Sequence, residues 1–248
     1  MEEHDRVLLM TINRPAARNA VTRAVSDAMG TAMDTLDARD DLVCGIVTGA
    51  GDTFCAGMDL KAFVDGEDVM NPERGFGGVC SRPSHKPLIA AVEGWALAGG
   101  CEIALACDMI VAAEGAQFGI PEVKRGLVAG AGGLLRLSMR IPPALACELA
   151  LTGDPLSAEA AHRIGLVNTL TEKGGAVGGA FNLAARITLN GPLAVAASKR
   201  ILDFASGHTL EEGWAFSNEH WAMIIASNDA REGATAFAEK RQPVWTGT

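Results

Sequence analysis

Two carboxylates stand out because their surroundings do not suit a charge. Glu102 is the single charged residue in the segment Trp95–Cys107, WALAGGCEIALAC. If that segment is a buried helix, the carboxylate is desolvated, which raises its pKa and costs stability. Twenty positions on, Glu122 follows Phe118-Gly119-Ile120-Pro121 and opens a short helix. Proline suits the first turn there, and a carboxylate suits the positive end of the helix dipole. Each residue has an ordinary account: Glu122 as a helix-start charge, Glu102 as half of a structural ion pair with Arg125 or Arg136. Each is also a candidate acid or base whose pKa its environment has tuned.

Two glycine-containing turns carry a second theme. Ala56-Gly57-Met58-Asp59-Leu60 follows the apolar pair Phe54-Cys55, and Ala98-Gly99-Gly100 opens the segment bearing Glu102. Glycine lets a backbone approach a ligand closely, and the first N–H groups of a helix lack intrahelical partners. Two such donors aimed at one point would stabilise an oxyanion. Taken singly, each is an ordinary tight turn.

The elements that must position these groups follow from hydrophobic periodicity. Val7–Ile12 reads as a strand ending at Asn13-Arg14-Pro15. Thr22 then caps a helix with apolar positions Val25, Ala28, Met29, Ala32 and Leu36, and Val43–Thr48 is a second strand. Leu88–Val92 leads through Gly94 into a helix from Ala98 to Cys107, and Met109–Ala113 and Gln117–Phe118 are further strands. From Pro142 on the pattern is almost wholly helical: Pro143–Leu151, Ala158–Ile164, Ala176–Leu189, Leu193–Ala205, Leu210–Ala226 and Arg231–Lys240. The polar, Gly/Pro-interrupted stretch Val64–Lys86 reads as a mobile surface loop bordering a pocket.

Composition removes several function classes. The chain has 248 residues, 21 Lys+Arg against 30 Asp+Glu, and a net charge of −9, so no broad basic face is expected for nucleic acid. A few local cations could still hold a polyanionic small ligand. The six cysteines form no C-x-x-C pair and the five histidines no H-E-x-x-H, which points to reduced thiols, no metal site and an intracellular, cytoplasmic protein. The start, MEEHDRVLLMTINRP, does not resemble a signal peptide, and no apolar run approaches the roughly 18 residues of a membrane span. G-x-S-x-G and Walker A sequences are absent, and Leu135 occupies the place where Gly130-Ala131-Gly132-Gly133 would need its last glycine for a dinucleotide fingerprint.

Taken in order along the chain, these motifs resemble the enoyl-CoA hydratase/isomerase (crotonase) family. The resemblance rests on Asn13-Arg14-Pro15, Arg18-Asn19-Ala20, Thr48-Gly49, Phe54 to Leu60, Lys86-Pro87 and Ile89 to Val92. It continues through Gly94 to Asp108, Phe118 to Glu122 and Gly130 to Gly133, and ends with Asp229, Glu232-Gly233, Phe237, Glu239-Lys240-Arg241 and Pro243. It implies an α/β fold, a spiral of repeated ββα units over residues 1–190, with a helical trimerisation region at 191–248 within the same family domain. The assembly implied is a homotrimer or a dimer of trimers.

The resemblance also implies a substrate and roles. The substrate would be an acyl-CoA thioester, with coenzyme A as part of the substrate and no separate cofactor. The N–H groups of Met58 and Gly99 would form the oxyanion hole, and Glu102 and Glu122 would be the catalytic pair of a hydratase. Arg18, Ala20, Ala56, Met58, Asp59, Leu60, Lys61 and Gly99 would line the CoA channel, with Arg18, Lys61, Lys240 and Arg241 near the phosphates. Phe237 and Lys240 would reach the CoA of a neighbouring subunit. Two departures bear on the acyl pocket: Ala129 stands where the family often has proline, and Met58 is larger than the usual small residue. Isomerase, dehydratase and acyl-CoA hydrolase chemistry remain open within the family, as does a non-catalytic CoA- or RNA-binding role.

Overall fold

The structure, a computed structural model, describes all residues 1–248. Its frame is a six-stranded sheet in the order β1-β2-β3-β6-β8-β11. The strands are β1 (Glu2–His4), β2 (Val7–Ile12), β3 (Cys44–Gly49), β6 (Leu88–Val92), β8 (Met109–Ala113) and β11 (Thr169–Thr171). Only the β1–β2 pair is antiparallel; every other pair is parallel. A second sheet, in the order β10-β9-β7, joins β7 (Trp95–Leu97), β9 (Gln117–Gly119) and β10 (Leu156–Ser157). The hairpin β4 (Met70–Asn71) and β5 (Gly75–Phe76) completes the strands.

Alternation along the strands divides the interior into two cores. Leu8, Met10, Val47, Leu88, Ala90, Ile110 and Ala112 face one way, into the larger core. It includes Met29, Met33 and Leu36 of α1 (Arg23–Ala38) and Cys101, Ile103 and Ala104 of α3 (Gly99–Ala106). Val7, Leu9, Ile46, Ile89, Ala91 and Val111 face the other way. They meet Ala176, Ala180 and Ala184 of α7 (Ala176–Thr188), whose small side chains at a four-residue spacing let that helix lie close on the sheet. The other helices are α2 (Leu60–Val64), α4 (Gly133–Arg140), α5 (Pro143–Thr152), α6 (Ala158–Arg163), α8 (Pro192–Ala205), α9 (Leu210–Ile225) and α10 (Asn228–Glu239). No helix is long and apolar enough to cross a membrane.

Several elements differ from the sequence reading. Val64–Lys86 is a surface loop only in part: Val64–Asp68 are exposed, whereas Val69 and Arg74–Cys80 are buried and pin the segment to α1. The Arg74 guanidinium, 2% exposed, pairs with Asp34 and Asp37 at 2.7 and 2.8 Å, and Ser26 Oγ donates to the Val69 carbonyl and accepts from Gly77 N–H. This is why α1 buries Ser26 and Gly30 while Ala28 faces outward. Thr22 sits at the N-cap without a side-chain capping bond; Glu67 instead accepts the Arg23 N–H at 2.6 Å. Strand β7, helix α4 and the short strands β10 and β11 interrupt stretches read otherwise. Beyond residue 190 the chain is helical through α10, with Leu202, Leu210, Trp214, Trp221, Met223, Ile225 and Phe237 exposed.

Candidate active site

The two glycine turns meet. Parallel bridges pair Cys55 with Ala96 and Val21 with Met58, which lays the Ala56–Met58 backbone beside the start of α3. Gly57 has φ +99°, and a Cβ there would fall 2.9 Å from Ala98 Cβ and 3.1 Å from Gly99 N, so only glycine permits this approach. Ala98, the N-cap of α3, holds φ 50° and ψ −130°, a left-handed conformation rare for a residue with a Cβ. Such strain costs about 1–3 kcal/mol and persists where surrounding structure enforces it. It sets the orientation of the Ala98–Gly99 peptide, whose N–H is the first of the helix and has no acceptor one turn back.

Asn19 and Asp59 fix the rest of the floor. Asn19, fully buried, donates to the carbonyls of Ala50 (2.9 Å) and Thr53 (2.6 Å) and accepts from Arg14 N–H. Asp59 accepts from Lys61 and Ala62 N–H to cap α2, and both Arg14 Nη atoms donate to its Oδ2 at 3.0 Å. The bound guanidinium holds the Asp59 carboxyl below the usual carboxylate range. Asp59 is therefore a loop anchor.

The turns open into a cavity of about 560 Å³. Arg18, Ala56, Met58, Leu60, Ala98 and Gly99 line one part of it, and Glu102 and Glu122 line it together with Pro121, Gly130 and Ala131. Glu102 is 3% exposed, and its Oε1 accepts N–H bonds from Ala131 at 2.8 Å and Gly133 at 2.9 Å. No ion pair joins it to Arg125 or Arg136 within 4.0 Å. Desolvation raises its pKa, against the opposing pull of those two amides and the Arg136 charge. Glu122 rides on a 3-10 turn, Pro121–Arg125, and its buried Oε2 has no hydrogen-bond partner. Its pKa is also raised, first by desolvation and then, against a backbone hydrogen bond, by the Glu102 charge. Glu122 thus senses the Glu102 charge within one apolar-walled space.

Other expected residues are not among those lining this cavity: Ala20, Asp59, Lys61, Phe237 and Lys240. Phe237 is 88% exposed on α10, and Lys240 caps that helix with φ 55°. Arg241 is engaged with Glu232 and Glu239 and is not free for a phosphate. The sequence reading did not place Phe63, Val69, Met70, Phe76, Arg125, Leu127 and Val128 in this site, yet all of them line the cavity. Only the bordering position assigned to Val64–Lys86 pointed there.

The family model for enoyl-CoA hydratase/isomerase matches residues 2–248. The chain belongs to the enoyl-CoA hydratase/isomerase family. Its fold is the crotonase fold, as in the solved enoyl-CoA hydratase from Mycobacterium marinum, which is 62% identical with TM-score 0.97 over 100% of this chain and 98% of that one. An enoyl-CoA hydratase from Mycobacterium tuberculosis H37Rv is 59% identical over the same shares, also with TM-score 0.97. A carnitinyl-CoA dehydratase of Salmonella paratyphi A is 43% identical over 97% of this chain and 95% of its own length.

Proposed function

We propose that this chain is an enoyl-CoA hydratase, adding water across the 2,3 double bond of a 2-enoyl-CoA to give the 3-hydroxyacyl-CoA. The observation that carries this reading is the convergence of Glu102 and Glu122, both with raised pKa, on one cavity with the Met58 and Gly99 backbone. Attack of water at C3 puts negative charge on the thioester oxygen, and the Met58 and Gly99 N–H groups receive it; one such donor is worth about 3 kcal/mol. Glu102, fixed by two amides, orients the water and accepts its proton. Glu122, with one oxygen unpartnered, exchanges the proton at C2. Hydroxyl goes to C3 and a proton to C2, so one water is consumed. Removal of water from a 3-hydroxyacyl thioester, the chemistry named for the carnitinyl-CoA relative, is the same step reversed.

In this reading the CoA enters past Arg18, Ala56, Met58 and Leu60, with Ala20, Asp59 and Lys61 shaping the loop behind. We assign residues 191–248 to self-association, supported by the exposed Leu210, Trp214, Trp221 and Ile225, which recur at helical spacing on α9. In a homotrimer or dimer of trimers, Phe237 and Lys240 would contact a neighbour's CoA. A cytoplasmic location accords with five buried free thiols.

The deciding experiment follows the ultraviolet absorbance of a short 2-enoyl-CoA with the protein. Loss of absorbance with 3-hydroxyacyl product supports hydration. Conjugation gained from a 3-enoyl-CoA would make the chain an isomerase, free CoA would make it a hydrolase, and binding without turnover would leave a non-catalytic role. Light scattering giving three or six chains per particle tests the assembly.

A further inference from the structure

Glu102 is gripped by a loop that is itself gripped. The Ala131 N–H bonds Glu102 Oε1, and the carbonyl of the same residue accepts from Arg136 Nη1 at 3.3 Å. Between the two donors to Glu102 lies Gly132, at φ +87°, where a Cβ would fall 2.6 Å from Arg136 Nη1. The guanidinium therefore lies against the bare face of the loop and occupies the space a side chain would need. Its other end, Nη2, donates to the Cys80 carbonyl at 2.6 Å. Cys80 belongs to the segment carrying Phe76, whose ring sits where a Cβ on Gly99 would be, 2.4 Å away. One side chain thus ties the amide cradle of Glu102 to the wall over Gly99, yet Arg136 itself does not line the cavity.

We propose that Arg136 is a positioning residue for the hydration step, holding the Ala131–Gly133 cradle so that Glu102 stays oriented and ionisable. The proposal rests on the role given to Glu102 under the proposed function. The groups that face Glu102 are few. Arg136 on α4 is the cation that acts on it, Glu122 on the 3-10 turn is the second carboxyl, Arg18 and Arg125 line the same cavity, and the Cys80 and Cys101 thiols are held protonated by burial. Loss of the Arg136 charge leaves desolvation less opposed, so the Glu102 pKa rises further. A base that must be ionised then works only at higher pH.

The test compares Arg136→Gln and Arg136→Lys in the wild-type and Glu102→Gln backgrounds. Arg136→Gln is expected to lower kcat about 10- to 100-fold with KM changed less than about twofold, and to move the acidic limb of the kcat profile to higher pH. Arg136→Lys, which retains the charge, should restore part of the rate and most of the limb's position. In the Glu102→Gln background, Arg136→Gln should cost less than about threefold more, because it acts through the residue already removed. An unmoved limb in Arg136→Lys and Arg136→Gln alike, or full additivity of the two losses, overturns the proposal. Near-normal turnover in Glu102→Gln alone would instead remove the reading on which it rests, so the two failures are distinguishable.

Discussion

The two glutamates are held in opposite ways. Glu102 lies within a continuous buried helix and is clasped by two amides, so its oxygen has fixed partners before any substrate arrives. Glu122 stands on a single 3-10 turn and presents a buried oxygen that nothing satisfies. A buried polar atom without a protein partner is costly, so this oxygen is left to a proton, a water or a substrate atom in the cavity it lines. In the proposed mechanism the clasped carboxyl orients the water and takes its proton, and the unclasped one exchanges the proton at C2.

Gln substitution is the strongest way to break that contrast. Glu102→Gln and Glu122→Gln should each lower kcat about 1,000-fold while substrate binding, measured by calorimetry with a non-hydratable acyl-CoA, changes little. Near-normal turnover in either would remove that residue from the chemistry. Next in size is Gly133→Ala, whose Cβ would fall 2.7 Å from Glu102 Cγ. It should cost about 10- to 100-fold in kcat by displacing the clasped carboxyl, with the chain still folded by circular dichroism. Full activity would mean that the cradle is not needed.

Stability should separate the two residues in the reverse sense. Glu102→Ala strands the Ala131 and Gly133 N–H groups and should destabilise the chain by about 2–4 kcal/mol in urea titration. Glu122→Ala strands no such pair of buried N–H groups and should cost far less. The smallest effect is a gain. Because folding raises the Glu122 pKa, its ionisation opposes folding, and the penalty grows as pH rises through the unfolded value, about 4.3, toward the raised folded value. Glu122→Gln should therefore melt about 2–4 °C above wild type near pH 8 and at the same temperature near pH 3. A gap that widens on acidification would reverse the sign of the burial argument.

Much of this contrast was legible in the sequence, for identifiable reasons. Val7–Ile12, Leu88–Val92 and Met109–Ala113 have the ends read from their apolar runs, because strands buried on both faces leave an uninterrupted hydrophobic trace. Glu102 was visible as the lone charge in an apolar helix. Strand β7 was not, since three residues held by partners at Gln117–Gly119 leave no local period. The β4–β5 hairpin was hidden for a similar reason: Arg74 is buried only because Asp34 and Asp37, far back in the chain, receive it. The clasp on Glu102 and the strain at Ala98 are backbone properties, and no side-chain pattern announces them. Arg125, Leu127 and Val128 line the cavity from a stretch whose residues look like ordinary exposed loop.

The thiols have a practical consequence. Burial pushes Cys44, Cys55, Cys101 and Cys107 up to about 12 and raises Cys80 as well, so none offers an appreciable thiolate at neutral pH. Cys147, on α5, is exposed. A maleimide dye added to the native protein should label that one sulfur, giving a reporter of motion in α5 without engineered cysteines.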